Sequence, residues 1–418
     1  MKLRQDFLFV VTFLAPILSA ALTFGAQSAR AENVATFFPD TLDGRKVLAV
    51  DLHAHTVFSD GRVWPNVRVD EALREGLSGF AFTDHEDCPP AVPAACPHRK
   101  DFPVSDHNRP YEIGKEYLAT KNNQSLVLIN GMEITRDNPP GHVNAVFVTD
   151  ANALMKTDPV EAYKAAKAQG AFLTWNHPTF ARFAPDGLFH VTPMMEKLIA
   201  DGLIQGIEVA NGMIGLPEDA LQYALDHHLT VIGTSDMHPP AGTGLDADTR
   251  PFFDASTDGT DHRTVTLVLA KEASAEAIKA ALFAGQTVAW HHDVLAGRED
   301  NVAAVVKACL TLKPLSFNDS SILAVNVRNA CPQRFMLQNQ TMLNDKAPAH
   351  FVNVADEIFV DAHGSTLVRA PMGDERETVR LKFEVANTLI RPRTHATVEL
   401  SAPIPPAMRP GQAKAANN

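Results

Sequence analysis

The chain has 418 residues, of which 45% are hydrophobic and only 7% aromatic. That is enough for a barrel-sized domain plus a smaller one around mainly aliphatic cores, and it excludes a disordered or collagen-like protein. The formal net charge of −12 disfavours nucleic-acid polymers and anionic membranes as partners. It does not exclude an anionic substrate, because bound cations reverse the local field.

At the start of the chain, Lys2 and Arg4 precede an almost wholly apolar stretch, Phe7 to Phe24, and Ala29-Arg30-Ala31 follows with small residues. This reads as a secretory signal peptide over residues 1–31, cleaved after Ala31. A membrane anchor fits less well, because Pro16 lies inside the stretch and a cleavage site ends it. Cleavage removes Lys2, Arg4 and Arg30 against Asp6, a net +2 that takes −12 to −14. No later segment is apolar enough to span a bilayer. The expected location is the periplasm.

From residue 47 to 300, apolar strands alternate with helical segments. Strand candidates are Val47–Leu52, Gly79–Thr83, Leu126–Gly131, Val143–Val148, Gly170–Trp175, Gly206–Val209 and Thr230–Gly233. Their apolar runs are continuous, as expected for parallel strands buried on both faces. Val69–Glu75, Tyr111–Lys121, Val160–Gln169 and Pro217–His228 are the clearest helices. Repeated strand–helix order implies an α/β fold with a parallel sheet, open or closed as a barrel. Between His85 and Tyr111 a proline-rich polar segment carries Cys88 and Cys96 and reads as a rim loop. With Cys309 and Cys331 there are four cysteines and three possible connectivities. Cys88–Cys96 with Cys309–Cys331 is one pairing that suits an oxidising compartment, and four reduced thiols are the alternative.

After Arg298 the pattern changes to short, partly alternating segments: Val325–Arg328, Phe351–Val354, Glu357–Val360, Thr378–Glu384 and Ala396–Leu400. Residues 301–405 therefore read as a small β-sandwich-like domain, followed by a disordered tail over 406–418.

The chemistry-bearing residues recur at strand ends. His53-Ala54-His55 follows the first strand, and its i, i+2 spacing puts both imidazoles on one side of an extended chain. Asp60 lies in the next turn, Thr83-Asp84-His85 ends the second strand, and Gly131-Met132-Glu133 ends the third. Gly141-His142 opens the fourth, Asn176-His177-Pro178 ends the fifth, and Ser235-Asp236-Met237-His238 ends the seventh. Imidazole with carboxylate suits Zn²⁺, Mn²⁺ or Fe, and so many ligands suit two or three ions.

As an ordered set these motifs resemble the PHP (polymerase and histidinol phosphatase) family over residues 47–300. With the signal peptide, the Thr287–Glu299 run and the β-rich C-terminus, the layout more narrowly resembles secreted phosphodiesterases of the Sb-PDE type. The resemblance implies a distorted seven-stranded (β/α) barrel with two or three divalent metals. His53, His55, Glu133 and Asp236 would hold the first, and Glu133 would bridge to a second bound by His142 and His177. Asp60, His85 and His238 would form the third site. That site departs from members with a histidine in place of Asp60.

The chemistry implied is hydrolysis of a small phosphoester, a diester before a monoester, by a hydroxide bridging two metals and attacking phosphorus. His85 and His238 would act at the leaving alkoxide through the third metal. Arg182 either binds a non-bridging phosphate oxygen or is a solvated surface arginine. Asn211 either orients substrate or caps the next segment. His291-His292 reads as structural or exposed before a part of the site, and Trp64 and Trp175 read as core before a substrate platform. A phosphomonoesterase on the same metals and a non-catalytic metal- or ligand-binding protein are the alternatives.

Overall fold

The computed structural model describes residues 38–86, 105–122, 125–241, 262–318, 321–373 and 376–409. The expected signal peptide, Cys88, Cys96 and most of the expected rim loop and tail lie outside these residues. Among the described residues no helix is long and apolar enough to cross a membrane.

All seven expected strands form: β1 (Lys46–Asp51), β2 (Gly79–Phe82), β3 (Val127–Ile134), β4 (Val143–Val146), β5 (Phe172–Trp175), β6 (Gly206–Asn211) and β7 (Thr230–Thr234). Most are buried along their whole length, so their apolar runs face protein on both sides. The helices between them are α1 (Pro65–Arg74), α2 (Arg109–Leu118), α3 (Pro159–Ala168), α4 (Pro193–Ala200) and α5 (Glu218–Asp226). Local chemistry sets several starts. Asp158 accepts from the Val160 amide at the head of α3 and Thr192 from the Met195 amide at the head of α4, each just before a proline that has no amide hydrogen to satisfy.

The sheet differs from the expected seven-stranded barrel. It is one curled sheet of eleven strands, in which β1 to β7 lie side by side in chain order and four further strands continue outward from β1. β8 (Val265–Ala270) pairs antiparallel with β1, and β9 (Thr287–His291) and β10 (Val294–Gly297) continue outward from it. α6 (Ala275–Phe283) links β8 to β9. The sheet is also not uniformly parallel, since β4 runs antiparallel to both β3 and β5. The link 135–142 between β3 and β4 cannot hold a crossover, which needs about a dozen residues. The curl brings β7 back to β1: Asp236 donates its amide to the His53 carbonyl (2.9 Å), His55 donates to Met237 (3.0 Å), and Ala54 bridges Met237. The ends of the first and seventh strands therefore lie together.

α7 (Glu299–Cys309) leads into the all-β region. There β11 (Leu310–Asn318), β12 (Ile322–Asn329) and β17 (Ser365–Pro371) form one sheet. β16 (Glu357–Val360), β13 (Phe335–Asn339), β18 (Thr378–Val385) and β20 (Ala396–Pro403) form the other. β12, β18 and β20 alternate buried and exposed residues, and both sheets contribute to one hydrophobic cluster, as a sandwich requires. β14 (Met342–Leu343) and β15 (Ala347–Pro348) make a small separate hairpin. Phe351–Val354, expected as a strand, is irregular.

The all-β region is built into the larger sheet. β19 (Thr388–Leu389) pairs parallel with β10 and supplies its edge strand. Val302, Val305, Val306 and Cys309 of α7 sit in the cluster that joins both cores. Cys309 is disulfide-bonded to Cys331, closing a loop across a sequence separation of 22. A loop of that length restricts the unfolded chain by about 3 kcal/mol. The double variant Cys309→Ser/Cys331→Ser is expected to lose about that much stability. Urea unfolding under non-reducing conditions would show it as a lower midpoint, and an unchanged midpoint would refute it.

Candidate metal centre

The predicted ligands gather at the end of the sheet where β1 and β7 meet. His53 and His55 follow β1, His85 follows β2, Glu133 lies near the end of β3, His177 follows β5, and Asp236 and His238 follow β7. His142 precedes β4. In an all-parallel sheet it would lie at the far end, and the antiparallel direction of β4 is what brings it to this one.

Glu133 is the centre of the arrangement, with no solvent exposure. Its Oε1 faces His142 Nδ1 (2.8 Å) and His177 Nε2 (3.3 Å). Its Oε2 faces His85 Nδ1 (2.8 Å), His53 Nε2 (3.5 Å) and His55 Nε2 (3.5 Å). Asp236 Oδ1 adds contacts to His55 Nε2 (3.1 Å) and His53 Nε2 (3.3 Å). On the solvent side Asp60 faces His85 Nε2 (3.3 Å), His238 Nε2 (3.2 Å) and His55 Nδ1 (3.6 Å). Four overlapping groups could each hold an ion: His55/Asp60/His85/His238, His53/His55/Asp236, His53/Glu133/His177 and His85/Glu133/His142. Every residue expected as a metal ligand belongs to at least one.

Burial opposes charge throughout the cluster, and the opposite charges overrule it at the carboxylates. Glu133 is held well below the usual range by His85, His142 and His53, Asp236 by His53, His55 and His238, and Asp60 by His85 and His238. His55 goes the other way: burial, with His238 and His85 beside it, pushes its pKa down to about 3, leaving a neutral imidazole. These donors fit a divalent cation. Glu133 Oε2, Asp60 Oδ1 and His53 Nε2 are buried and, although each lies close to other members of the cluster, none makes an aligned hydrogen bond.

A second layer, absent from the expected ligand set, orients the first. Glu208 is fully buried in β6 and its Oε1 lies 2.7 Å from His53 Nδ1, which leaves Nε2 to face the cluster. Its Oε2 accepts from the His177 amide (2.7 Å) and Asn211 Nδ2 (2.9 Å). A single acid inside the apolar run Gly206–Val209 was the sequence signal for it. Asn176 donates to Glu133 Oε1 (2.9 Å). Asp84 accepts from Thr56 and Ser59 and anchors the turn leading to Asp60. Asn211 also donates to Asp236 Oδ2 (3.2 Å) and accepts the Met213 amide (2.8 Å), so it both steadies a ligand and caps a turn. His177 (φ 26°) and Asp236 (φ 52°) hold left-handed backbone that non-glycine residues rarely adopt, a conformation that clusters at functional sites.

The remaining candidates fall elsewhere. Arg182 lies at the surface, paired with Asp137 (2.6 Å). Its neighbour Phe183, not the arginine, packs on the His142 ring (4.9 Å between centroids). His291 is bound to Thr264 (2.7 Å). Trp175 is core, whereas Trp64, expected as core, is half exposed at the head of α1.

Comparison with known proteins accords with this arrangement. Residues 310–401 match DUF5001, an Ig-like domain. The chain is similar to a crystal structure from Bacteroides vulgatus, a two-domain protein containing a predicted PHP-like metal-dependent phosphoesterase. The two share 35% identity over 87% of this chain and 97% of that one, with a TM-score of 0.74. The chain thus belongs to the PHP-like family, in the form that carries a C-terminal Ig-like domain. A candidate metal-dependent phosphoesterase from Bifidobacterium adolescentis (19% identity, 46% of this chain and 88% of that one, TM-score 0.35) is more remote. So is an amidohydrolase from Chromobacterium violaceum (17%, 46% and 88%, TM-score 0.30). No curated protein matches in sequence.

The bond from Glu208 to His53 leads to a direct test. Glu208→Gln is expected to weaken metal binding about 10–100-fold, as is usual when the partner of a metal-bound histidine is altered. Metal titration would read the loss, and unchanged affinity would refute the role.

Proposed function

We propose that this protein is a metal-dependent phosphoesterase acting on a small phosphodiester, with two or three divalent cations (Mn, Zn or Fe) in the cluster. The observation that carries this reading is the shared carboxylate Glu133, with one oxygen towards His142 and His177 and the other towards His53 and His55. That division suits a first cation at His53, His55, Glu133 and Asp236, a second at Glu133, His142 and His177, and a third at Asp60, His85 and His238. When bound, such cations acidify a water into a nucleophile and neutralise phosphoryl oxygens in an in-line displacement.

The chain's own residues prepare that chemistry. Glu208 fixes the ring of His53, and Asn176 and Asn211 hold Glu133 and Asp236, all of them buried from solvent. His85, His238 and Asp60 are the partly exposed members, with side chains 16%, 19% and 36% accessible. They line the side where an ester group can enter and a leaving oxygen depart. The diester preference rests on the resemblance to secreted Sb-PDE-type enzymes. The basic start, the apolar stretch Phe7 to Phe24 and the small residues at Ala29 and Ala31 support export through residues 1–31 to the periplasm. The acidic mature charge supports a small substrate over a nucleic-acid polymer.

Activity on bis-p-nitrophenyl phosphate and p-nitrophenyl phosphate, after chelation and reloading with Mn²⁺, Zn²⁺ or Fe²⁺, tests the proposal. The diester is expected to turn over faster and chelation to abolish both activities. A faster monoester rate would make the protein a phosphomonoesterase, and inertness with every metal would leave a binding protein. In the same assay, His53→Ala/His55→Ala is expected to lose metal and activity together. Full activity in that variant once it is shown to be metal-free would overturn the metal mechanism.

A further inference from the structure

Arg68, in the first turns of α1, is a fully buried arginine with no solvent exposure. It lies beneath the cluster and touches none of the carboxylates assigned as ligands. Its guanidinium makes five hydrogen bonds. Nε donates to the His55 carbonyl (2.9 Å). Nη2 donates to the Met237 (2.9 Å) and His238 (2.8 Å) carbonyls. Nη1 donates to the Pro239 carbonyl (2.9 Å) and to Glu71 Oε2 (2.7 Å). An arginine offers five N–H groups in a planar fork, so the donor set is fully used.

The acceptors matter more than their number. Three consecutive carbonyls, at 237, 238 and 239, converge on one cation. This turns the backbone of the β7 end inward at the segment where Asp236 adopts positive φ. The remaining carbonyl belongs to His55, which follows β1. Arg68 therefore clips together the two segments that carry His55, Asp236 and His238, and the His55 and His238 rings stack above it with centroids 4.2 Å apart. Glu71 completes the clip: its second oxygen accepts the Ala241 amide (2.8 Å), binding the next stretch of the same segment to α1.

We propose that Arg68 is a positioning residue for the outer metal group of His55, Asp60, His85 and His238. It sets the separation of His55 and His238 through their main chains, so that the group holds a cation instead of spreading towards solvent. This rests on the reading of the cluster as a metal centre, but not on the identity of the substrate. A lysine keeps the charge but carries its three N–H groups on a single nitrogen, without the spread of Nε, Nη1 and Nη2 that reaches both segments here.

The test compares the wild-type chain with Arg68→Lys and Arg68→Met by metal content, metal titration and melting temperature with and without Mn²⁺ or Zn²⁺. Loss of a purely structural contact lowers the melting temperature equally with and without metal. Loss of positioning shrinks the increment that metal adds. The expected result is about 10–100-fold weaker binding of the most weakly held ion and a smaller metal-induced increment in both variants. Wild-type stoichiometry and affinity in both variants would overturn the proposal. So would an Arg68→Lys chain without the wild-type circular dichroism spectrum, since Arg68 would then be a residue of the fold. A wild-type chain that binds no metal brings down this proposal and the metal centre together. A chain that binds metal in an Arg68-dependent way yet leaves every phosphoester intact keeps this proposal and removes the phosphoesterase reading.

Discussion

Glu133 is ionised where no water reaches it, and an uncompensated carboxylate in such a place costs several kcal/mol. Histidines on both of its oxygens offset that cost, and they come from loops after β1, β2 and β5 and from the start of β4. Those loops must therefore end within a few ångströms of one another. The curl of the sheet, which returns β7 to β1, is the geometric condition that allows it. A flat sheet of the same strands would spread these histidines along its edge and leave the carboxylate unmatched.

Behind the ligands the same logic repeats one layer deeper. Glu208 is also fully buried, and it is satisfied by His53, the His177 amide, Asn211 and Thr234. Asp51 is satisfied by Ser235 and by Arg263, which also binds Glu75 bidentately. Glu208 and Asp51 are thus both satisfied by hydrogen bonds or an ion pair. Such fully satisfied networks hold a site to one geometry, because any displacement strands a polar group in a low-dielectric interior. The left-handed backbone at His177 and Asp236 is tolerated within this frame.

The Ig-like region contributes to the same rigidity from outside. An exposed edge at β10 would present unpaired backbone groups. β19 covers it, and Asn387 and Gln333 both donate to the Asp293 carbonyl in the turn between β9 and β10. Trp290 of β9 donates to Gln333 Oε1 (2.6 Å), and α7 and its disulfide fix the crossing point. Among the described residues the two regions form one compact unit.

The candidate ligand types and their order along the chain were legible in the sequence, as were the seven strands at whose ends they cluster. Short motifs at strand ends carry that information locally: an i, i+2 histidine pair faces one way whatever the rest of the fold does. The Ig-like sandwich was legible through alternation, although β11, β13 and β17 were not separately recognised. Other features depended on pairing between distant segments. The sequence does not state that β8 adds to β1 on the side away from β2, that β4 runs backwards, or that Thr388–Leu389 completes the larger sheet, because an apolar strand accepts a partner on either side and in either direction. For the same reason Glu208 and Arg68 could not be placed: each stands alone in an apolar or helical run, and its role comes only from the atoms it meets across the fold. Residue chemistry along the chain named the candidate ligands, while the tertiary structure decided which of them share a carboxylate and what holds them there.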